Sequence, residues 1–344
     1  MYIILTILMF GLLILFHELG HFATARLFKV TVNEFAIGMG PKLISKKSEK
    51  SGITYSLRAL PIGGYVSMEG ENEDSEDPNA YSKKPVWQRM IILVAGATMN
   101  IIIAIVLMFA VVISSENLTS TRIGEFTEGS VSNSEGGLML EDTVVKVGWV
   151  PVYSGYELVY EISNQGTEPV DITVIRNGEK IVLKDVKFGV ETEEGVNFGT
   201  PDFRVYALEK TFFNCIKQSV SRSVSSFKMI IDSLSGMLTG KYGMDAVQGP
   251  VGITDEIHQM EKENLMDLST FGFLASVISM NLGIFNLLPI PALDGGQLVF
   301  RFIELIIRRP LNPKIEGALN FIMLIVLMTF AGVVMLKDIV KLIL

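Results

Sequence analysis

The chain has a single cysteine, Cys215, in 344 residues. No internal disulfide can form, so any soluble part must be stable through its own core, and Cys215 reads as a small buried or lipid-facing residue rather than a nucleophile. Basic residues are also short: Lys and Arg number 29 against 37 Asp and Glu, for a formal net charge of -8. That balance excludes a nucleic-acid partner, because phosphate binding needs a basic surface to release counterions. No basic residue precedes the apolar run Tyr2 to Phe16, while Arg26 and Lys29 follow it. A cleaved signal peptide ending near Ala23-Thr24-Ala25 is therefore excluded, and the first apolar run is expected to stay in the protein. The most informative absence is charge itself, since no Asp, Glu, Lys or Arg occurs from Ile91 to Ile113.

What is present is apolar: 49% of residues are hydrophobic and the mean hydropathy is positive. A bilayer-crossing helix needs roughly 20 largely apolar residues. Four segments qualify: Tyr2 to about Phe28, Trp87 to Ile113, Phe271 to about Leu293, and about Gly317 to Leu336. Basic residues near helix ends mark the cytosolic side. They cluster after the first span (Arg26, Lys29, Lys42, Lys46, Lys47, Lys50, Arg58, Lys83, Lys84) and between the third and fourth (Arg301, Arg308, Arg309, Lys314). Both termini and the long segment Ser114 to Thr270 are then expected to be extracytoplasmic.

Within that segment, Thr143 to Val147, Val170 to Arg176 and Lys180 to Val186 alternate as strands, and Arg176-Asn177-Gly178-Glu179 is a type I′ hairpin signal. With a short helix near Tyr156 to Ser163, residues 116–200 read as a small α+β domain. From Pro201 to Gly240 the period becomes helical, with Phe212, Cys215, Ile216, Val220, Val224, Phe227, Ile230, Ile231 and Leu234 near a 3.6 spacing. Residues 201–270 are accordingly read as an amphipathic helical linker region. It joins an N-terminal membrane part, 1–115, to a C-terminal one, 271–344. Thr54 to Met68 reads as a strand, and the acidic run Glu69 to Asp77 as a solvated loop.

The chemistry lies in His17-Glu18-Leu19-Gly20-His21, an H-E-x-x-H on a helix. Histidines at i and i+4 share one helical face and reach one metal, and Glu18 beside them can take a proton from the attacking water. Ionisable groups inside a span are costly and normally paired or functional, so three of them closing an apolar run point to a metal or a water-filled cavity. Catalytic zinc takes three protein ligands and leaves one position open. His258 lies in a polar extracytoplasmic stretch, on the wrong side. At about 1.5 Å per residue, His17 lies roughly 24 Å along the first helix, in the cytosolic half of a core about 30 Å thick. Asp294 arrives at similar depth from the third span. Its approach, Asn286-Leu287-Leu288-Pro289-Ile290-Pro291-Ala292-Leu293-Asp294-Gly295-Gly296, breaks regular helix, which is tolerated at membrane depth only inside protein or beside a wet cavity.

These motifs resemble those of the bacterial site-2 protease family, intramembrane zinc metalloproteases, and within it the RseP/RasP-type branch with a single PDZ domain. Ile37-Gly38-Met39-Gly40-Pro41, Pro61-Ile62-Gly63-Gly64-Tyr65-Val66, Ala95-Gly96-Ala97-Thr98-Met99-Asn100 and Gly249-Pro250-Val251-Gly252-Ile253 resemble further blocks of that family. The resemblance implies a polytopic α-helical protein of the bacterial cytoplasmic membrane, with four transmembrane helices, a membrane-entering β-hairpin over Tyr55 to Met68 and an inserted PDZ-like domain. It implies Zn2+ held by His17, His21 and Asp294, with Glu18 as base. Asn286, Gly63, Gly64, Tyr65, Pro289 and Pro291 become the substrate-binding residues. The expected partners are the lipid bilayer and single-span membrane proteins, namely trimmed anti-sigma factors or remnant signal peptides. Glu141 and Gly148-Trp149 depart from the PDZ pattern, where glycine and Asn-Gly are usual. Peptide binding by this domain and a spacer or steric role are therefore both open, and exclusion of bulky substrates, which needs no peptide pocket, suits these departures. A catalytically silent membrane scaffold or chaperone is the alternative, and the presence of every expected catalytic residue counts against it. A zinc-dependent carrier would need polar residues spread through several spans, whereas Trp87 to Ile113 has few beyond Thr98 and Asn100.

Overall fold

The computed structural model describes residues 2–71, 75–193, 196–240, 243, 247–263, 265 and 267–343. Parts of the expected acidic loop (72–74) and of the linker region (241–242, 244–246, 264 and 266) lie outside them. Along the chain run α1 (Tyr2–Leu27), β1 (Val32–Lys47), β2 (Thr54–Met68), α2 (Val86–Ser114), β3 (Leu118–Phe126), β4 (Thr143–Val147), β5 (Val150–Pro151) and α3 (Gly155–Gln165). There follow β6 (Val170–Arg176), β7 (Glu179–Val186), β8 (Gly189–Glu193), β9 (Val196–Thr200), β10 (Phe203–Leu208), α4 (Phe212–Thr239), α5 (Pro250–Lys262), α6 (Leu268–Asn286), α7 (Asp294–Ile307) and α8 (Pro313–Ile343). They form two compact units, Met1–Ala104 with Gln248–Leu344, and Ile105–Val247.

In the first unit α1, α2, α6 and α8 are long and apolar enough to cross a membrane, and only 6% of the apolar window of α8 is buried within the protein. A helix that leaves so much Leu, Ile and Phe uncovered needs an apolar surrounding. The helices meet through small residues. A side chain at Gly20 would run into the Ala95 carbonyl of α2, and one at Gly283 would lie 2.9 Å from the Ala97 carbonyl oxygen. Ser276 and Ser279 of α6 donate to the Ala104 and Asn100 carbonyls at 2.7 and 2.8 Å. Close backbone approach with hydroxyl cross-links is how helices associate where burial from water contributes little.

The third span is shorter than expected. It ends at Asn286 rather than near Leu293, because Pro289 and Pro291 cannot donate to a continuing helix. The chain then turns into α7, an amphipathic helix that hydropathy alone did not show. Its inner face carries Gly295, Gly296, Phe300, Arg301 and Glu304. Glu304 takes hydrogen bonds from Arg89 of α2 and Arg301, both at 2.8 Å, and Arg301 also pairs with Glu316 of α8. These buried charges are acceptable only because each is paired. α8 also exceeds its expected limits, and near its end the buried Asp338 accepts from Gly249 and Gly252 N–H at 2.8 and 3.0 Å, holding the start of α5.

The strand expected at Thr54 to Met68 is β2, but 55–68 is not a hairpin closed on itself. β1, which the glycines and lysines of 32–47 obscured, pairs with both halves of it. Glu34 to Ile37 pair with Ser67 to Gly64 on one side and with Thr54 to Leu57 on the other, while Lys42 to Lys47 pair with Arg58 to Thr54. The first half of β1 is thus central, and 60–68 is an edge. The sheet packs on α1 through Ala25, Val32, Phe35 and Val66, with Phe22 beside them.

The second unit holds the sheet β10-β3-β4-β6-β7, with β5 on β4 and a separate β8-β9 ribbon. The Asn177-Gly178 turn has φ of 52° and 85° and joins the paired Arg176 and Glu179, as a type I′ hairpin requires. Ile123, Val144, Leu158, Ile162, Ile172 and Val174 form its core. One expectation changes. Phe203–Leu208 is a strand paired with β3, so this sheet runs past residue 200 and the helix begins only at Phe212. Most of the apolar stripe of α4 stays uncovered: Phe212, Ile216, Val220, Val224, Phe227 and Ile231 are exposed, while Cys215 and Ile230 are buried. The packed face is serine-rich, with Ser221 bonded to Ser154 at 2.7 Å and Gln218 to the Thr119 carbonyl at 2.6 Å. Glu141 adopts φ 73°, which explains why glycine would suit that position. Its carboxylate pairs with Arg122 and takes the Tyr206 hydroxyl at 2.5 Å.

Candidate metal centre

α1 places His17 and His21 one turn apart, and both are buried. The turn after α6 brings Asp294, the first residue of α7, against them. His17 Nε2 lies 3.2 Å from His21 Nε2, and Asp294 Oδ2 lies 3.1 and 3.4 Å from the two nitrogens. Ligand atoms about 2.0–2.1 Å from a tetrahedral zinc stand about 3.3 Å from one another. Three edges of that length, between two imidazole nitrogens and a carboxylate oxygen, fit zinc and its usual donors. Among the described residues this is the group of His, Cys, Asp and Glu with metal-holding geometry; His258, on α5, is not in it.

Neighbouring groups hold the corners in place. His21 Nδ1 lies 2.8 Å from the Ile92 carbonyl oxygen. A carbonyl only accepts, so Nδ1 carries the proton and Nε2 keeps its lone pair for the centre. Gly96 of α2 gives both rings their space: an added Cβ would lie 2.7 Å from His21 Cε1 and 2.8 Å from His17 Cε1, and closer still to His21 Nε2. On the other side, Ala292 has φ 73° and donates its N–H to Asn320 Oδ1 at 3.0 Å. Gly295 and Gly296 let the turn close, because side chains there would overlap the Leu287, Leu288 and Ile290 carbonyl groups. Asn320 and the Ile92 carbonyl have no pattern of their own in the sequence, and Gly96 is marked there only as part of the block 95–100, without this role.

Glu18 is beside the triangle, and its carboxylate takes a hydrogen bond from the Val66 backbone. Gly64 comes close as well, for a Cβ there would lie 3.4 Å from Glu18 Cγ. The edge segment 60–68 therefore runs past the expected base at Gly64, while a side chain at Gly63 would meet Met39 instead. Tyr65 points elsewhere: its hydroxyl bonds Arg58, whose guanidinium stacks 4.8 Å from the ring centroid. Arg58 pairs in turn with Glu34 at 3.0 Å. Desolvation pushes the Glu34 carboxyl up, but hydrogen bonds from Ser56, Lys42, Arg58 and Tyr65 outweigh it and hold the group at about 2. Asn286 closes α6, half-buried, while Pro289 is exposed and Pro291 half-buried in the turn that leads to Asp294.

A triangle of such donors set among apolar spans, with a glutamate carboxylate alongside, belongs to the membrane-embedded metallopeptidases. The sequence matches peptidase family M50 over residues 5–330. A candidate zinc metalloprotease of Fusobacterium nucleatum is 36% identical over 351 residues, spanning 98% of this chain and 98% of its own length. The regulator of sigma-W protease RasP of Bacillus subtilis is 29% identical over 423 residues, spanning 99% and 98%. The zinc metalloprotease RasP of Bacillus licheniformis is also 29% identical, over 427 residues, spanning 99% of each. The chain belongs to peptidase family M50. It is a multi-pass membrane protein and a zinc metalloprotease.

Proposed function

We propose that the protein hydrolyses peptide bonds within the transmembrane segments of single-span membrane proteins, with His17, His21 and Asp294 as zinc ligands and Glu18 as general base. The observation that carries this reading is the near-tetrahedral spacing of the three ligand atoms with Glu18 at their side. Zinc, when bound there, supplies a Lewis acid that lowers the pKa of water and polarises a carbonyl. Glu18 takes the proton of the attacking water and returns it to the leaving amine, a role suited to a carboxylate held by a backbone N–H beside the ligands.

A transmembrane helix hides its peptide bonds in internal hydrogen bonds, so it must unwind before it is cut. The unpaired side of segment 60–68 offers replacement bonds to an extended chain, in the manner of strand addition. Gly63 and Gly64 let that chain lie close to Glu18. Tyr65, engaged with Arg58 and Glu34, contributes its backbone and stiffens the sheet. Asn286, Pro289 and Pro291 frame the other side of the substrate through the turn that carries Asp294. The sheet enters the cytosolic half of the bilayer, and both termini and the domain inserted between the second and third spans are extracytoplasmic. That domain is PDZ-like and acts as a size filter, admitting substrates already shortened to a stub. Trimmed anti-sigma factors and remnant signal peptides, in the cytoplasmic membrane of a bacterium, fit this description.

The test is incubation of the purified, zinc-loaded protein with a panel of labelled single-span peptides, with and without a zinc chelator. Chelator-sensitive cutting of at least one peptide is expected. A folded, zinc-loaded protein that cuts none would favour a silent scaffold instead.

A further inference from the structure

Asn100 of α2 is 1% exposed. Its side chain lies against the imidazole of His17, with Nδ2 3.4 Å from His17 Nδ1, and its Oδ1 has no hydrogen-bond partner among the described residues. A buried amide oxygen left unpaired costs about 1–3 kcal/mol, so its presence beside the metal centre calls for a partner. The tautomer of His17 supplies one. With Nε2 at a corner of the triangle and its lone pair turned to the metal, the single proton of the neutral ring sits on Nδ1 and needs an acceptor. The oxygen and nitrogen of an asparagine amide are interchanged by a half-turn about its last torsion and are assigned from their surroundings. That half-turn gives His17 its acceptor and the orphan oxygen its donor.

The same arrangement already holds for the other histidine. His21 gives its Nδ1 proton to the Ile92 carbonyl, and Ile92, Gly96 and Asn100 follow one another at intervals of four on one face of α2. Backbone carbonyls point toward the helix C-terminus and side chains lean toward the N-terminus. The Ile92 carbonyl and the Asn100 amide therefore converge from opposite ends on the space that Gly96 leaves open. We infer that Asn100 is a positioning residue for the zinc site, its side-chain oxygen fixing the tautomer and ring orientation of His17 as the Ile92 carbonyl fixes those of His21. This deepens the assignment of His17, His21 and Asp294 as ligands and rests on it.

The test is zinc affinity of the purified full-length protein, measured by competition with a chromogenic chelator. Asn100→Leu is expected to weaken zinc about 10–100-fold, the usual effect of losing a ligand's outer partner. Asn100→Asp, which keeps an acceptor oxygen, should stay within a few-fold of the parent. Ser279→Ala removes only the hydroxyl that meets the Asn100 backbone and should bind zinc like the parent. Cobalt substitution adds a readout that general loosening would not mimic: the visible bands should shift in Asn100→Leu and be restored in Asn100→Asp. If Asn100→Leu does not accumulate as folded protein, Asn100→Ala carries the same expectation. Parent-like zinc affinity in Asn100→Leu or Asn100→Ala, while His17→Ala has lost its zinc, overturns the role given to Asn100 alone. Full zinc retention in His17→Ala overturns the ligand assignment, and the role of Asn100 with it.

Discussion

Replacing Gly96 with alanine should empty the metal centre while leaving the fold in place. The added methyl carbon would sit 2.7 Å from His21 Cε1 and 2.8 Å from His17 Cε1. Carbon atoms in good contact stand near 3.5 Å apart, so both ring edges must retreat by at least about 0.7–0.8 Å, and His21, whose Nε2 is nearer still, by more. Zinc–ligand distances tolerate only about 0.2 Å. Retreat also pulls His21 off the Ile92 carbonyl, which fixes its ring. Zinc affinity should fall by at least the 10–100-fold expected for loss of an outer partner. Cleavage should fall about 100-fold, as for a misplacement near 1 Å. The helix should not suffer, since alanine is favoured over glycine by about 1 kcal/mol in a helix interior. Gly332→Ala is the control, because nothing lies within 4 Å of a side chain there. The assay is zinc content and chelator competition on the purified variants, with thermal unfolding in detergent alongside. Parent-like zinc binding and turnover in Gly96→Ala would refute the claim that this glycine makes room for two metal ligands.

Further outcomes follow from the same geometry. Glu18→Gln keeps all three ligands and should retain zinc while cleavage drops about 10²–10⁴-fold, checked by metal content and turnover in one preparation. Asp294→Ala should lose zinc and His258→Ala should not, which metal analysis of the two proteins decides. Leu118 and Leu208 are register partners across β3 and β10, so the residues between them can be replaced by a short glycine-rich linker. The filter role predicts a higher cleavage ratio of untrimmed to trimmed substrate in that deletion. An unchanged ratio in a zinc-loaded deletion would remove that role, and loss of trimmed-substrate cleavage would point to peptide recognition.

The parts legible in the sequence were those written in local pattern. His17 and His21 declare themselves because four residues make one helical turn, and the spans declare themselves because lipid demands unbroken apolar runs. Pro289, Pro291 and the paired glycines marked the turn before Asp294, although α7 went unseen because its charged face resembles a loop until Arg301, Glu304 and Arg89 are paired. β1 was hidden by glycines and lysines, and its position between two halves of β2 is a long-range fact that no local pattern encodes. The periodic apolar residues of α4 left packing and interfacial lodging both open; serines, Cys215 and Ile230 pack while most of the stripe stays exposed, since period gives a face and not what covers it. The roles of Gly96 and Asn100 depend on what stands opposite them, and a one-dimensional reading has no access to that.

Mapping where a single-span substrate is cut puts the central claim at most direct risk. Purified protein in lipid, loaded with zinc, is incubated with one such substrate and the new termini are read by mass spectrometry. They should fall inside the apolar segment, disappear with a chelator, return with added zinc and be absent with Glu18→Gln. Cuts confined to the soluble flanks, or cuts inside the segment that persist in Glu18→Gln, would contradict the assignment of this centre to intramembrane proteolysis.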